Sequence, residues 1–144
     1  ENLGAEFLNG SFGTAAEARA DTDAAQHFRS AYEQAYGEVP PVPYIDTAYD
    51  AVYSIALAAV AADSTDPAAI RDHLRAINDP DGEIVGPGEF AEAVDRLEAG
   101  EPINYQGASG SVDFDANGDV GGTFAHWVIE DGEYRTLEIF EPSM

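Results

Sequence analysis

The apolar residues of this chain change their spacing toward the C-terminus, and this change constrains the fold more than any other feature. Earlier in the chain they repeat at helical intervals, as in amphipathic helices. Later they alternate or form short apolar runs, which indicates β-strands. The pattern predicts helices over residues 22–36, 47–62, 66–77 and 89–100, and strands over residues 111–114, 124–130 and 134–140.

Turn and capping residues support these helix boundaries. Gly37 and Gly100 follow the first and fourth predicted helices, where glycine commonly ends a helix. An Asp-Pro pair opens the third. For the second helix, Asp46 or Thr47 is the expected N-cap. Its buried stripe is predicted to consist of five apolar residues, Val52, Ile55, Ala56, Ala59 and Val60.

The strand region points to a mixed fold. Asp131-Gly132 separates the last two predicted strands, and Asp-Gly is a common two-residue hairpin turn. A further short strand is expected near residues 5–8. Helices followed by strands favour an α/β or α+β domain over a helical bundle. We therefore predict a single α/β region over residues 1–144.

The charge balance excludes one class of partner. The chain carries 28 Asp and Glu residues against six basic residues, all arginine, which gives a formal net charge of −22. Nucleic-acid binding requires clustered positive charge, so nucleic acid is not an expected partner. The acids are dispersed, and lysine is absent. Since the screening length falls to about 3 Å in molar salt, we interpret this composition as adaptation to high salt.

The sequence contains no run of 18 apolar residues, no signal-peptide pattern and no cysteine. A membrane-spanning helix needs about 20 apolar residues, so none is predicted in this segment. Disulfides and thiolate metal sites are excluded as well.

One acidic stretch resembles half of a calcium loop. Asp113, Asp115 and Asn117 occupy positions one, three and five of such a loop, and Gly118 follows at position six. Position twelve, however, is Phe124, where a glutamate should complete the coordination sphere. The three residues are therefore only weak candidates, and we predict no metal site.

Two stretches partly match known motifs, one for a catalytic nucleophile and one for dinucleotide binding. Ser109 lies in G-A-S-G, but a nucleophile elbow reads G-x-S-x-G, and the histidines are predicted to lie on separate elements. G-P-G-E-F-A at residues 86–91 is a poor dinucleotide motif, because proline occupies its second position, only Ile84-Val85 could form the preceding strand, and a pyrophosphate would meet strong negative charge. We predict no catalytic residues, no cofactor and no enzymatic activity.

The remaining motifs carry a family resemblance. FRSAYEQAYG at residues 28–37, TAYDAVY at 47–53, NYQGASGSVDFDANGD at 104–119 and WVIEDG at 127–132 occur in that order. In order and spacing they resemble the C-terminal part of substrate-binding proteins of branched-chain amino-acid-type ABC transporters. The resemblance implies a type I periplasmic-binding-protein fold, in which two α/β lobes close on a ligand. It also implies a longer protein, with residues 120–144 expected to cross toward the second lobe.

The same resemblance suggests a ligand site and a role. Tyr44 matches a position where family members often place an aromatic side chain on the ligand. Asp46 and Tyr49 follow it in YIDTAYD, and the nearby helix N-terminus offers unpaired N–H groups. A carboxylate and N–H groups together suit a zwitterionic amino acid or similar small polar ligand.

The implied protein is the solute-binding component of an ABC importer, acting at the cell surface, in the periplasm or outside the cell, with a membrane permease as partner. Two alternatives remain open. One is a sensory ligand-binding domain of a receptor with the same fold. The other is a calcium-dependent enzyme or adhesion module, which would require an ion at Asp113, Asp115 and Asn117.

Overall fold

A computed structural model describes residues 4–40, 42 and 44–141 of the chain. Its helices are α1 (Asp23–Tyr36), α2 (Ile45–Ala61), α3 (Pro67–His73) and α4 (Phe90–Glu98). Its strands are β1 (Phe12–Ala16), β2 (Glu83–Val85), β3 (Ile103–Gly107), β4 (Gly110–Ser111), β5 (Phe124–Glu130) and β6 (Glu133–Phe140). Short 3-10 turns occupy Ala5–Leu8 and Leu74–Ile77. The predicted α/β class is confirmed.

The first sheet is antiparallel, in the order β1-β5-β6. β5 and β6 form the predicted hairpin, in which Asp131 (φ 53°) and Gly132 (φ 78°) both adopt positive φ. This is the geometry that a type I′ turn requires. Gly13 of β1 lies directly opposite Trp127 of β5, and a Cβ at Gly13 would meet the indole ring at 2.7 Å. The absence of a side chain at Gly13 therefore lets the indole pack against the β1 backbone.

The second sheet has the order β2-β3-β4, with β2 and β3 parallel and β4 antiparallel to β3. In β3, Ile103, Tyr105 and Gly107 are buried and alternate with half-buried residues. α2 and α4 both contact this strand. The core between helices and sheet consists of Tyr53, Leu57, Ala58, Ile77, Val85, Ala93, Ile103, Tyr105 and Val112. Each large apolar side chain fully buried here contributes about 1.5–3 kcal/mol to folding.

Local signals place the starts of α1 and α3 as predicted, but α3 ends at His73 and Leu74–Ile77 form a 3-10 turn, so the prediction of one helix through residue 77 is wrong. Thr22 caps α1 by accepting a hydrogen bond from the Ala25 N–H at 3.1 Å. Gly37, at φ 93°, ends the same helix. Asp66 caps α3 through the N–H groups of Ala68 and Ala69. The starts of α1 and α3 are confirmed, and α4 ends at Glu98, two residues before Gly100.

The second helix differs from its prediction in where it begins. It starts at Ile45, and Tyr44 occupies the N-cap position without a side-chain hydrogen bond. The Asp46 Oδ1 accepts from the adjacent Thr47 N–H at 2.9 Å inside the first turn. The prediction that Asp46 or Thr47 caps the helix is therefore wrong.

The predicted buried stripe of α2 is also wrong. Val52 and Ile55 are exposed, at 69% and 52%. The buried face instead consists of Asp46, Asp50, Tyr53, Ser54, Leu57 and Ala58. This helix is apolar on most sides, so hydrophobic spacing does not select a face. The buried polar groups determine which face of α2 is buried, because one of them is a carboxylate whose hydrogen-bond donors lie on that side of the helix.

Two strand predictions require correction. Residues 5–8 form a 3-10 turn, and the early strand is β1 at Phe12–Ala16. Of residues 111–114, only Ser111 lies in a strand, and Phe114 forms an isolated bridge with Val120. The longer strand in this part of the chain is β3, which the sequence pattern did not indicate. No helix among the described residues is both long and apolar enough to cross a membrane.

Candidate functional site

A cavity of about 850 Å³ lies beside the N-terminal half of α2. Arg29 of α1, Asp46 of α2, Ser109 in the turn between β3 and β4, Ala15 of β1 and Tyr134 of β6 are among the lining residues. Small-ligand pockets are typically about 300–1,000 Å³, mostly apolar with a few polar groups. The cavity has the size and composition of a small-molecule site.

Two of the predicted ligand residues lie at this cavity. Tyr44 and Asp46 both line it. Tyr44 is 58% exposed and adopts a left-handed backbone conformation, with φ 68°. For a residue other than glycine this conformation costs about 1–3 kcal/mol, and such residues cluster at functional sites. Asp46 is 8% exposed, so its carboxylate is largely withdrawn from bulk solvent.

The third predicted residue lies elsewhere. Tyr49 packs between Phe28 and Tyr53, with ring centroids 4.8 and 5.4 Å away. It is not among the residues that line the cavity. Burial raises the pKa of its phenol, which therefore stays protonated at neutral pH. Its geometry is that of a side chain packed between aromatic residues of α1 and α2.

A row of buried polar side chains runs along α2 toward the cavity. Asp46, Asp50 and Ser54 are spaced four residues apart, are each at most 8% exposed, and line the cavity. Residues four apart share one face of a helix, so the three form a single row. The Ser54 Oγ makes no hydrogen bond within the described part of the chain.

Asp50 is the best-connected member of this row. Its Oδ1 accepts from the Tyr105 hydroxyl at 2.7 Å and from the Ala108 N–H at 2.8 Å. Its Oδ2 accepts from the N–H and the hydroxyl of Ser109, at 2.7 and 2.5 Å. A Cβ at Gly107 would overlap this carboxylate. Asp50 thus fastens the turn between β3 and β4 to α2, and the missing side chain at Gly107 makes room for it.

This network affects the protonation of its tyrosine and the role of its serine. Burial, reinforced by the adjacent Asp50 charge, raises the pKa of Tyr105 well above its ordinary value, so the phenol remains a donor. The Ser109 hydroxyl donates to Asp50, and no histidine partner of Ser109 occurs in the part of the chain that the structure describes. Ser109 therefore positions the turn that lines the cavity.

Hydrogen bonds within the acidic turn hold it together. The Asp115 Oδ1 accepts from the N–H groups of Asn117 and Asp119, which lowers the pKa of Asp115. The Asp113 carboxylate accepts from the Ser111 hydroxyl at 2.7 Å. Across the described residues, no three His, Cys, Asp or Glu side chains are grouped to hold a metal.

An arginine occupies the carbonyl groups of the same turn. The Arg75 guanidinium donates to the backbone oxygens of Asp115 and Ala116, at 2.9 and 3.0 Å. Calcium loops use carboxylate and carbonyl oxygens as ligands. In this turn the Asp115 carboxylate, one Asp113 carboxylate oxygen and these two backbone oxygens accept from protein donors.

Comparison with known proteins identifies the family. The sequence model of the receptor family ligand binding region matches residues 4–129. The chain belongs to this family. The family assignment agrees with a chain that folds around a small-molecule cavity.

Two known proteins are similar to this chain, one in sequence and one in fold. The chain is 34% identical over 108 residues to the chemotactic signal transduction system substrate-binding protein BasB of Halobacterium salinarum, covering 75% of this chain and 25% of BasB. The crystal structure of the leucine binding protein LivK of Thermotoga maritima superposes with a TM-score of 0.63 at 22% identity, covering 95% of this chain and 32% of LivK. The chain has the fold of part of a type I periplasmic-binding protein, and it spans only about a third or less of these relatives.

Two residues at the cavity escaped the sequence analysis. No role is assigned to Asp50 from the sequence, although its four-residue spacing from Asp46 is a usable signal. Arg29 was counted only among the scattered basic residues. Nothing local in the sequence links Asp50 to the turn at Ser109, or Arg29 to α2.

Proposed function

We propose that the intact protein captures a zwitterionic amino acid, or a similar small polar ligand, and delivers it to the membrane permease of an ABC importer. This chain would contribute one wall of the binding cleft, and capture would take place outside the cytoplasm. The observation that carries the proposal is the placement of Tyr44 and Asp46 at an 850 Å³ cavity in a member of a ligand-binding family.

The two residues have complementary roles in this proposal. The Asp46 carboxylate has one described partner, the Thr47 N–H, and can accept further hydrogen bonds from a ligand ammonium. Tyr44 presents an aromatic ring to the cavity, where it would cover an apolar part of the ligand. Closure of the missing lobe would then bury most of the ligand surface.

Calorimetry on the intact protein in molar KCl tests this proposal. We expect one or more free amino acids to bind. Asp46→Asn keeps an oxygen for the Thr47 N–H but removes the charge, and should weaken binding by about 1.5–3 kcal/mol, which is tenfold or more in affinity. Tyr44→Ala should also weaken binding, because the ring no longer covers the ligand. The isolated chain should bind weakly or not at all, because part of the cleft is missing.

Matched controls are available on the surface. Tyr36 is 75% exposed at the end of α1 and does not line the cavity. Asp81 is an exposed carboxylate in a loop. Tyr36→Ala and Asp81→Asn should leave the affinity unchanged. Unchanged affinity in both Tyr44→Ala and Asp46→Asn, with intact folding by circular dichroism, would place the ligand elsewhere.

A second candidate is a sensory role, and the similarity to BasB favours it. That relative is named as the substrate-binding protein of a chemotactic signal transduction system. The same capture step could therefore report to a receptor rather than feed a permease.

Deletion of the gene separates the two roles. A strain that loses uptake of the labelled ligand but keeps its chemotactic response supports the importer. Loss of chemotaxis with normal uptake supports the sensory role.

A further inference from the structure

Arg29 has an unusual position for an arginine in this protein. It lies on α1, is half-buried, and is the one basic side chain among the described residues that line the cavity. Acidic side chains line the same cavity, namely Glu17, Asp46 and Asp50. The cavity therefore contains charges of both signs.

Every other arginine has a partner within the described residues. Arg19 pairs with Asp21, Arg71 with Asp72, Arg96 with Glu92 and Glu101, and Arg135 with Glu130, and Arg75 donates to two backbone oxygens. Arg29 has no hydrogen bond or ion pair to any described residue. In a chain with 28 acidic residues, an arginine that pairs with no carboxylate of the described residues stands apart.

None of the acids that line the cavity forms an ion pair with Arg29 among the described residues. All four hydrogen bonds described for Asp50 come from Tyr105, Ala108 and Ser109. Asp46 lies at the start of α2 and accepts from the Thr47 N–H. The guanidinium group is a rigid fork of donors that matches a carboxylate in bidentate geometry. No residue in the described part of the chain supplies such a carboxylate to the Arg29 side chain.

The N-terminus of α2 is a poorer binding site for a ligand carboxylate than the sequence suggests. The protein's own Asp46 carboxylate already accepts from one of its N–H groups, and its negative charge stands at the same end of the helix. A ligand carboxylate placed there would meet that charge at close range, which is unfavourable. The favourable place for an anionic group is on the α1 side of the cavity.

We propose that Arg29 binds the carboxylate of the ligand, while Asp46 binds its ammonium group. The amino-acid ligand rests on the function proposed above, whereas the carboxylate at Arg29 does not. The two residues, on different helices, then impose an orientation, with the carboxylate toward α1 and the ammonium toward α2. The chemical class that fits is a small molecule with a free carboxylate.

Calorimetry with paired probes tests the assignment on the intact protein in molar KCl. The probes are the free amino acids, the carboxamide of the tightest binder, and succinate, which has carboxylates but no ammonium. Arg29→Gln should weaken binding of the amino acid tenfold or more and leave binding of its carboxamide unchanged. The Arg29→Gln variant should therefore no longer prefer the amino acid to its carboxamide. Asp46→Asn should weaken both probes equally, because both carry the ammonium.

The exposed Arg19 provides a matched control, since Arg19→Gln should change neither affinity. If Arg29→Gln does not fold by circular dichroism, Arg29→Met retains most of the apolar stem and has the same expected result.

If a folded Arg29 variant still prefers the amino acid to its carboxamide as strongly as the wild-type protein does, the Arg29 assignment is overturned and the amino-acid function stands. Succinate binding that depends on Arg29, without amino-acid binding, supports Arg29 and overturns the amino-acid function. If no probe binds the folded wild-type protein, both proposals are overturned.

Discussion

Replacement of Asp50 by alanine should be among the most destabilising single changes in this chain. Four donors converge on its carboxylate, at distances between 2.5 and 2.8 Å. Two of them, the Tyr105 hydroxyl and the Ala108 N–H, belong to residues with no exposed surface. A buried donor left without a partner costs about 1–3 kcal/mol. The Ser109 donors are half-buried and can be satisfied by water.

The expected loss is about 3–5 kcal/mol for Asp50→Ala, which is a large part of a typical domain stability of about 5–15 kcal/mol. Asp50→Asn should cost less, about 1–3 kcal/mol, because its oxygen can still accept from Tyr105 and Ala108 while its amide opposes the Ser109 donors. Urea titrations in molar KCl, followed by circular dichroism, measure both values.

Two further variants sharpen this test. Asp81→Ala removes an exposed carboxylate and should change the free energy of unfolding by less than about 0.5 kcal/mol. Gly107→Ala adds a methyl group where the Asp50 carboxylate lies, so it should destabilise the chain with the carboxylate present. A loss below about 1 kcal/mol for Asp50→Ala would refute the conclusion that this network fastens the turn to α2.

Three further predictions concern the solution conditions. The melting temperature should rise with KCl concentration, because salt screens the net charge of −22, and an equal melting temperature in dilute buffer and multimolar KCl would contradict this. Calorimetry should find no saturable calcium site, because position twelve is Phe124 and the Asp115 carboxylate and carbonyl oxygens already accept from protein donors, whereas a site abolished by Asp115→Ala would show the reverse. Stability should fall as pH rises above about 10, the ordinary tyrosine pKa. Burial raises the folded-state pKa of Tyr53 and Tyr105 above the unfolded-state value. The folded state is therefore fully stable below the unfolded-state pKa and loses stability as the pH rises through it toward the folded-state pKa. Urea titrations at increasing pH would detect this loss.

The sequence predicted the parts of the fold that are encoded locally. Thr22 and Gly37 bound α1, Asp66 with Pro67 opens α3, and each of these signals acts within one turn of helix. The β5–β6 hairpin follows from an Asp-Gly pair in the same way. Such signals do not depend on the rest of the chain, so they can be read without a structure.

The missed features depend on contacts between distant residues. The buried face of α2 is decided by Asp50, whose partners Ala108 and Ser109 lie 58 and 59 positions away. The strand β3 alternates apolar Ile103 and Tyr105 with amide side chains, but the glycines that follow made the stretch look like a loop. At the site, the resemblance to a known family supplied Tyr44 and Asp46, whereas Arg29 emerged only when α1 and α2 were placed around one cavity.

The backbone of Tyr44 sets two selection pressures against each other. A left-handed residue is a position where glycine relieves strain, so replacement by glycine is a standard route to greater thermal tolerance. A library randomised at this position and screened only for survival on heating should therefore enrich glycine. The same library screened for ligand capture should return the aromatic ring. Laboratory evolution at this one codon would reveal how much heat tolerance the protein gives up to keep a tyrosine at its cavity.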